Sequence, residues 1–574
     1  MRQYLGEDAA STLVPTKTTS TESAAFSLDM PLDYLGCART LRIGFPKLFP
    51  RHQLTLKVEP SPWLEWPHAM RDGLCLHGFR ERPVTGSPED IVNDNFKRLA
   101  KILALSVAGS DPSVRAREFA GEILSYWSLQ LVTSIRRVTL LDRPNVSTPL
   151  YALDDPRSGS NSRLASLWLA QDLQTLKAQY RRSSGRNVLM RALAQPAFFL
   201  KLTSLPPLQV PQPQEFLGWI QEHAESEDSS ALADWFEKTG RNSVRWIAVE
   251  LPGEQSGTIY CFHLRSSALA RGRGPRFNLR SGRRGRTWLP SASPSHLQHA
   301  GLDILDRSTV LSRDRSGDAN LLYLKRIVVV GQGSLGSTVA LQLARAGVGH
   351  ITIIDNDVFK SENIGRHVLG VEDLGQSKAV AMKEMILRSI PHVDVRAIDN
   401  FVEVAIVGDE SVFSKADLVI VTTADWASEV ALWRLKSAGA TWTLIQAWSE
   451  PHSFVGHALI SSSDDSDGRE LFDPQGNFFG WQSSWPDAGI IALPACGDAF
   501  IPGSGGAITA IAGMVAEAAV RSLDTTDLDR SWLTLVSKPR EIASLGGSYR
   551  GPSLPDDLLS CVYRRKWSDV ERNE

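Results

Sequence analysis

The stretch RIVVVGQGSLGSTVALQLARAGVGHITIID, residues 326–355, constrains the fold more than any other part of the chain. An apolar strand (IVVV) runs into a glycine-rich turn, the turn opens a helical stretch (STVALQLARAG), and a second apolar strand (HITIID) follows. Further strand–helix alternation continues from there, including the apolar run LVIVTTA that ends near residue 424. Such alternation predicts an α/β domain, a doubly wound, mainly parallel sheet of Rossmann-like type.

The turn itself carries chemistry. Gly331, Gly333 and Gly336 form G-x-G-x-x-G between strand and helix, where bare backbone N–H groups and the helix dipole can hold a phosphate. Asp355 and Asp357 stand at the end of the second strand, where a carboxylate can grip a ribose hydroxyl. That much says "nucleotide", with NAD the usual ligand. The residues that follow favour a triphosphate with Mg2+: Asn363 and Arg366 in SENIGRH, Lys378 in GQSK, and Asp425 after the third strand. Hydride transfer needs no charge clamp. Attack of a carboxylate on an α-phosphate accumulates negative charge, which Arg366, Lys378 and a metal on Asp425 would neutralise.

With these residues in order, 320–525 resembles the ThiF-type adenylation domain of ubiquitin-activating enzymes and of bacterial activators of sulfur-carrier proteins. The resemblance rests on GQGSLGS, IIDNDV, the N-x-x-R pair, G-x-x-K and the aspartate after the third strand. It implies ATP and Mg2+ as cofactors and Arg313, in VLSRD, as an arginine lent to the nucleotide site of a dimer partner. Cys496 would be a thioester-forming cysteine on the loop PACGDAFIPGSGGA. Two features depart from the family. His367 stands where glutamine is usual, and the zinc-holding C-x-x-C pairs of the sulfur branch are missing, so no zinc is expected.

At 574 residues the chain has room for more than this domain. The Ser/Thr-rich residues 1–25 read as a flexible tail, with order beginning near Ala24. Residues 26–130 read as a small α+β unit, 131–300 as a middle or linker domain, and 301–574 as the adenylation domain. Within 26–130, IGFPKLFP followed by WPHAMRDGLCL resembles a ubiquitin-conjugating enzyme approaching its catalytic cysteine. Cys75 would be that cysteine. Trp66-Pro67-His68 occupies the place of His-Pro-Asn, so either His68 or His77 would assist Cys75. In the middle domain, Leu169, Leu173, Leu176 and Tyr180 lie at helical spacing, and VRWIAVEL and GTIYCFHL read as strands.

The pairing of the two resemblances is similar to the conjugating–activating fusions of bacterial anti-phage operons, CBASS among them. It implies activation of the C-terminus of a CD-NTase or a ubiquitin-like protein and its delivery to a target protein or small amine. The small-residue helix at 507–520 adds the expectation of a homodimer. A runner-up use of the glycine loop is a NAD-dependent oxidoreductase. Another class, a nucleic-acid-binding regulator, would use the eight arginines between Arg265 and Arg286, a run with no acid. Global charge favours no partner, since 62 basic and 64 acidic side chains leave a formal charge of −2. No apolar run approaches the ~18 residues of a membrane span, and five scattered cysteines fit no disulfide framework. The expected setting is therefore cytoplasmic.

Overall fold

The structure, a computed structural model, describes residues 12–570 apart from 78–83, 156–165, 185–193, 240–243, 256, 267–275, 278–283, 286–293, 312–320, 464–466, 493–498 and 556–557. Cys496, Arg313 and most of the arginine-rich segment 265–286 lie outside the described residues. The chain divides into two compact units, Met1–Ile304 and Leu305–Glu574.

The first unit opens with an antiparallel sheet of strands Val14–Pro15, Glu22–Asp29, Thr40–Pro46 and Thr55–Glu59, paired in chain order. Alternation sends Leu41, Ile43, Leu56 and Val58 to one face, where they bury with Trp66, Phe96, Leu99 and Ile102. Order starts earlier than the composition of residues 1–25 suggests. Arg42 donates to both carboxylate oxygens of Glu22, at 2.7 and 2.6 Å, and so fastens the strand that begins there.

Two helices follow, Pro88–Ser106 and Pro112–Gln130, each opened by proline behind a capping residue. The Ser87 hydroxyl accepts from the Asp90 N–H, and the Asp111 carboxylate accepts from the Ser113 N–H. The second helix does not end a domain at residue 130. Its Ile123 and Trp127 bury in the core of the next sheet, with Phe198, Phe216 and Phe262.

That sheet has nine strands, including Arg137–Leu140, Ser166–Ala170, Thr148–Asp154, Gln195–Lys201, Val244–Glu250 and Ile259–Arg265 as consecutive neighbours. The helical spacing expected from Leu169 is broken here. Leu169 sits in a strand, paired with Leu140 and Ala152, and the helix starts only at Leu173. An apolar residue every third or fourth position is also what a buried strand followed by a helix produces.

In the second unit, Asp394–Ile398, His350–Ile354, Arg326–Val330, Leu418–Val421 and Thr443–Ser449 run parallel in that spatial order. Val455–Ser461, Ser531–Ser537 and Ser560–Lys566 extend the sheet antiparallel. One face buries helices Ser334–Ala346, Lys378–Ser389 and Gly505–Ser522, and the other buries helix Trp426–Ser437. The expected doubly wound α/β fold is present. Chain order reverses beside Arg326–Val330, so a crevice opens at the carboxyl ends of that strand and of Leu418–Val421.

The small residues of helix Gly505–Ser522 have an internal use. Ala512, Ala516 and Ala519 are buried in the unit's own core, so they do not by themselves mark a dimer surface. Among the described residues no helix is long and apolar enough to cross a membrane.

Candidate functional site

The glycine turn at the crevice is shaped by close approach. Gly331 has φ +87°, which favours glycine, and a Cβ on Gly336 would lie 1.9 Å from the Gly331 carbonyl oxygen and 2.4 Å from the Thr422 hydroxyl. A Cβ on Gly333 would meet nothing within 4 Å. Gly333 is also the N-cap of helix Ser334–Ala346 and offers no side chain to its first amides. The helix therefore presents uncapped N–H donors to open space, an arrangement that fits a phosphate.

Acidic and basic groups frame the turn. Asp355 accepts from the backbone N–H of Gln332 at 2.5 Å and of Asp357 at 2.8 Å, so it holds the glycine turn against the second strand. Burial, helped by the charge of Asp357, keeps the Asp355 carboxyl above the usual carboxylate range. Asp357 bonds the Lys378 ammonium at 2.8 Å, and Lys378 is buried at the start of its helix. Asn363 accepts from the Lys360 N–H and so closes the turn that carries Arg366. Gly505 abuts that turn, since a Cβ there would lie 2.7 Å from the Gly365 carbonyl oxygen.

His367 fills the family's glutamine position. Its Nε2–H donates to the Gln332 carbonyl at 2.7 Å, and its Nδ1 accepts from the Leu369 N–H at 3.1 Å. Only the neutral ring does both, and burial holds His367 below the ordinary histidine value.

Asp425 caps helix Trp426–Ser437: its Oδ2 accepts from the Ser428 N–H at 3.0 Å and the Ser428 hydroxyl at 2.6 Å. Asp425 is exposed, and an exposed carboxylate suits one ligand of a hydrated Mg2+. Behind it Glu429 is buried and accepts from the Gln446 amide at 2.8 Å; burial and the Asp425 charge push its carboxyl up to about 8. Sequence reasoning missed Glu429, whose only signal is a carboxylate one turn after Asp425. The glycine turn, Asp355, Asp357 with Lys378, and Asp425 thus lie on segments that follow neighbouring parallel strands, while Arg313 falls outside the described residues.

A second site forms in the first unit. Strands Ala69–Met70 and Gly73–Leu74 make a tight hairpin, and its register puts His68 opposite Cys75; the Cys75 N–H donates to the His68 carbonyl at 2.7 Å. His68 has φ +61°, a left-handed conformation that costs a non-glycine residue about 1–3 kcal/mol. Helix Pro112–Gln130 holds it there. Glu122 accepts from the His68 N–H at 3.1 Å and pairs with Nδ1 at 2.8 Å, while Glu118 lies 3.4 Å from Nε2.

The Glu122 bond raises His68 above the ordinary histidine value despite partial burial. Burial would raise Glu122, yet His68 holds it low. The Cys75 thiol is pushed up by burial and then by the Glu122 charge, and its Sγ–H donates to the His77 carbonyl at 3.5 Å. His77 itself turns its ring to Asp94, 3.3 Å away. Cys75, His68, Glu118 and Glu122 share one cavity of about 350 Å3. Sequence reasoning missed both glutamates, because nothing local says which face of their helix meets the hairpin.

Comparison with known proteins follows this geometry. Residues 310–447, which hold the glycine turn and the crevice strands, match the model of the ThiF family. Similar curated proteins include the ATP-dependent ubiquitin transferase-like protein Cap2 of Escherichia coli (strain TW11681), 27% identical over 363 residues, 58% of this chain and 58% of that one. Another is the probable adenylyltransferase/sulfurtransferase MoeZ of Mycobacterium tuberculosis (strain ATCC 25618 / H37Rv), 29% identical over 185 residues, 31% of this chain and 46% of that one. The chain thus spans about half to three fifths of the length of these relatives. A solved structure of E. coli MccB with MccA-N7isoASN is 17% identical, covering 44% of this chain and 66% of that one, at a TM-score of 0.31.

Proposed function

We propose that the chain activates the C-terminal carboxylate of a protein with ATP and conjugates it to a target through two thioesters. The reading is carried by the uncapped amides of helix Ser334–Ala346 at the glycine turn, with the Lys378–Asp357 pair and the helix-capping Asp425 on segments that follow neighbouring parallel strands. The substrate carboxylate attacks the α-phosphorus and pyrophosphate leaves. Lys378 and Arg366 offset the charge that builds on the phosphates, and Mg2+ held by Asp425 would add its own neutralisation there.

Cys496 then attacks the acyl-adenylate carbonyl, AMP departs, and thiol exchange moves the acyl group to Cys75. Tethering both cysteines in one chain raises their effective concentration. The activated protein is a CD-NTase or a ubiquitin-like protein, the setting is anti-phage defence, and the acceptor is a target protein or small amine. The similarity to a relative named as an ATP-dependent ubiquitin transferase-like protein supports the ATP-driven transfer chemistry.

ATP–pyrophosphate exchange, run with the co-expressed partner, tests the reading. Asp425→Ala and Lys378→Ala are expected to lower exchange at least 100-fold; unchanged exchange in both sinks the site, and hydride transfer to NAD in its place would favour an oxidoreductase.

A further inference from the structure

We propose that a cavity on strands Ser531–Ser537 and Ser560–Lys566 of the second unit binds a nucleoside monophosphate, with Arg565 and Arg550 on the phosphate and Trp481 stacked on the base. The cavity shares no lining residue with the glycine turn or with Asp355, Lys378 and Asp425, and binding there does not require the proposed transfer chemistry.

The cavity measures about 780 Å3, room enough for a mononucleotide, and its floor is rigid. Trp532 lies directly across the strand pair from Arg565. The guanidinium carbon sits 3.3 Å from the centre of the Trp532 ring and 4.9 Å from that of Tyr563, so the cation rests on aromatic faces. Trp532 is fixed in turn: its Nε1–H donates to His457 Nδ1 at 3.0 Å, and His457 Nε2–H donates to Glu450 at 2.8 Å. Glu450 also accepts from the Gln482 N–H at 2.7 Å and from the Ser483 hydroxyl, so one buried carboxylate ties the floor to the wall at 480–484. Gly480 allows the close approach, since a Cβ there would lie 2.5 Å from the Trp532 ring.

Both cations of this cavity have hydrogen-bonding capacity to spare. The Arg565 side chain makes one hydrogen bond, a long one of 3.4 Å to the Thr534 hydroxyl, and its Nε–H is buried without an acceptor. Arg550 donates to the Ser484 hydroxyl at 3.0 Å. Among the described residues neither arginine has a carboxylate within ion-pair distance. The acids of the cavity are bound into their own turns, Asp473 by Asn477 and Asp569 by the Lys566 N–H. A phosphate group is an acceptor that two guanidiniums can share. The two acids disfavour a longer run of phosphates, which separates a monophosphate from ATP.

Flat surfaces make up much of the remaining lining. Trp481 is 37% exposed, and Phe479 and Trp485 add further rings. An exposed indole face can stack a nucleobase. An extended acidic peptide is a poorer fit, because it would need a strand to pair with. The floor is a sheet face, and the wall strand Ser483–Ser484 is already paired with Ser548–Tyr549.

The test is equilibrium dialysis of labelled AMP against full-length protein, with ATP and Mg2+ in excess and no protein partner, so that the glycine-turn crevice is filled and does not turn over. One AMP per chain is expected to stay bound. Adenosine and inorganic phosphate should each compete at least tenfold more weakly than AMP, because each engages only part of the site. Arg565→Gln and Trp481→Ala should each weaken AMP binding about tenfold or more, and Arg550→Gln about threefold, with ATP binding unchanged. Trp481 and Arg550 are exposed, so their replacement leaves folding intact and keeps the test decisive even if Arg565→Gln lowers Tm through the Trp532 stack. The dinucleotide ApA tells the source while keeping the inference: competition equal to that of AMP assigns a nucleotide within a chain, and weaker competition the free mononucleotide.

Complete displacement of AMP by the excess ATP would overturn the inference, as would an unchanged AMP affinity in both Trp481→Ala and Arg550→Gln. Displacement by an oligoglutamate peptide as effective as unlabelled AMP would overturn it too, since the cavity would then be an acidic-peptide site.

Discussion

His367 shows how one ring can time the stability of a whole site. It clasps the Gln332 carbonyl with one nitrogen and the Leu369 N–H with the other, which only the neutral form allows. In the folded chain its proton affinity lies below the ordinary value of about 6.5, so as pH falls below 6.5 the unfolded chain binds more protons than the folded one. Stability of the second unit should therefore decline from about pH 6.5 downward, and His367→Gln, which keeps a donor and an acceptor, should show a smaller drop in Tm between pH 7.5 and pH 5.5. Glu429 acts with the opposite sign. Its carboxyl stays protonated up to about 8 in the fold, while the unfolded chain loses that proton above its ordinary value, so this group costs stability as pH rises between those limits. Glu429→Gln is expected to raise Tm at pH 8 more than at pH 5, read by calorimetry across that range.

Elements differ in how far their reasons lie along the chain. The glycine turn is set by its own residues, and two glycines in it should separate cleanly on mutation. Gly336→Ala drives a methyl into the Gly331 carbonyl and Thr422, so a loss of about 1–3 kcal/mol in denaturant unfolding is expected. Gly333→Ala meets open space, so Tm should hold while ATP binding weakens about tenfold or more, measured by calorimetric titration. This locality is why the doubly wound sheet and the position of its glycine turn could be anticipated from sequence: strand, turn and helix signals sit side by side. Order at Glu22 could not, because its anchor Arg42 is twenty residues away across a sheet. Leu169 was misjudged for a related reason, since a strand and a helix joined by a short turn mimic one helical period. Glu118 and Glu122 carried a helix pattern and no hint of the hairpin they face.

At the scale of the whole molecule, the order of cysteines is the main expectation. Cys496→Ala should still form adenylate yet load neither cysteine, whereas Cys75→Ala should still load Cys496, as read by intact mass under non-reducing conditions; normal loading of Cys75 in the first variant would reverse the relay. If Arg313 acts across a two-fold axis, mixing Arg313→Ala with Asp425→Ala protein should restore part of the exchange that each lacks, and light scattering should show two chains per particle. Helix Pro112–Gln130 has a consequence of a different kind. One of its faces carries the carboxylates beside Cys75 and the other inserts Ile123 and Trp127 into the nine-stranded sheet. The acidic wall of the site therefore belongs to the same cooperative folding unit as that sheet, and backbone amides between Glu118 and Trp127 should exchange their hydrogens only as slowly as those of the sheet's central strands.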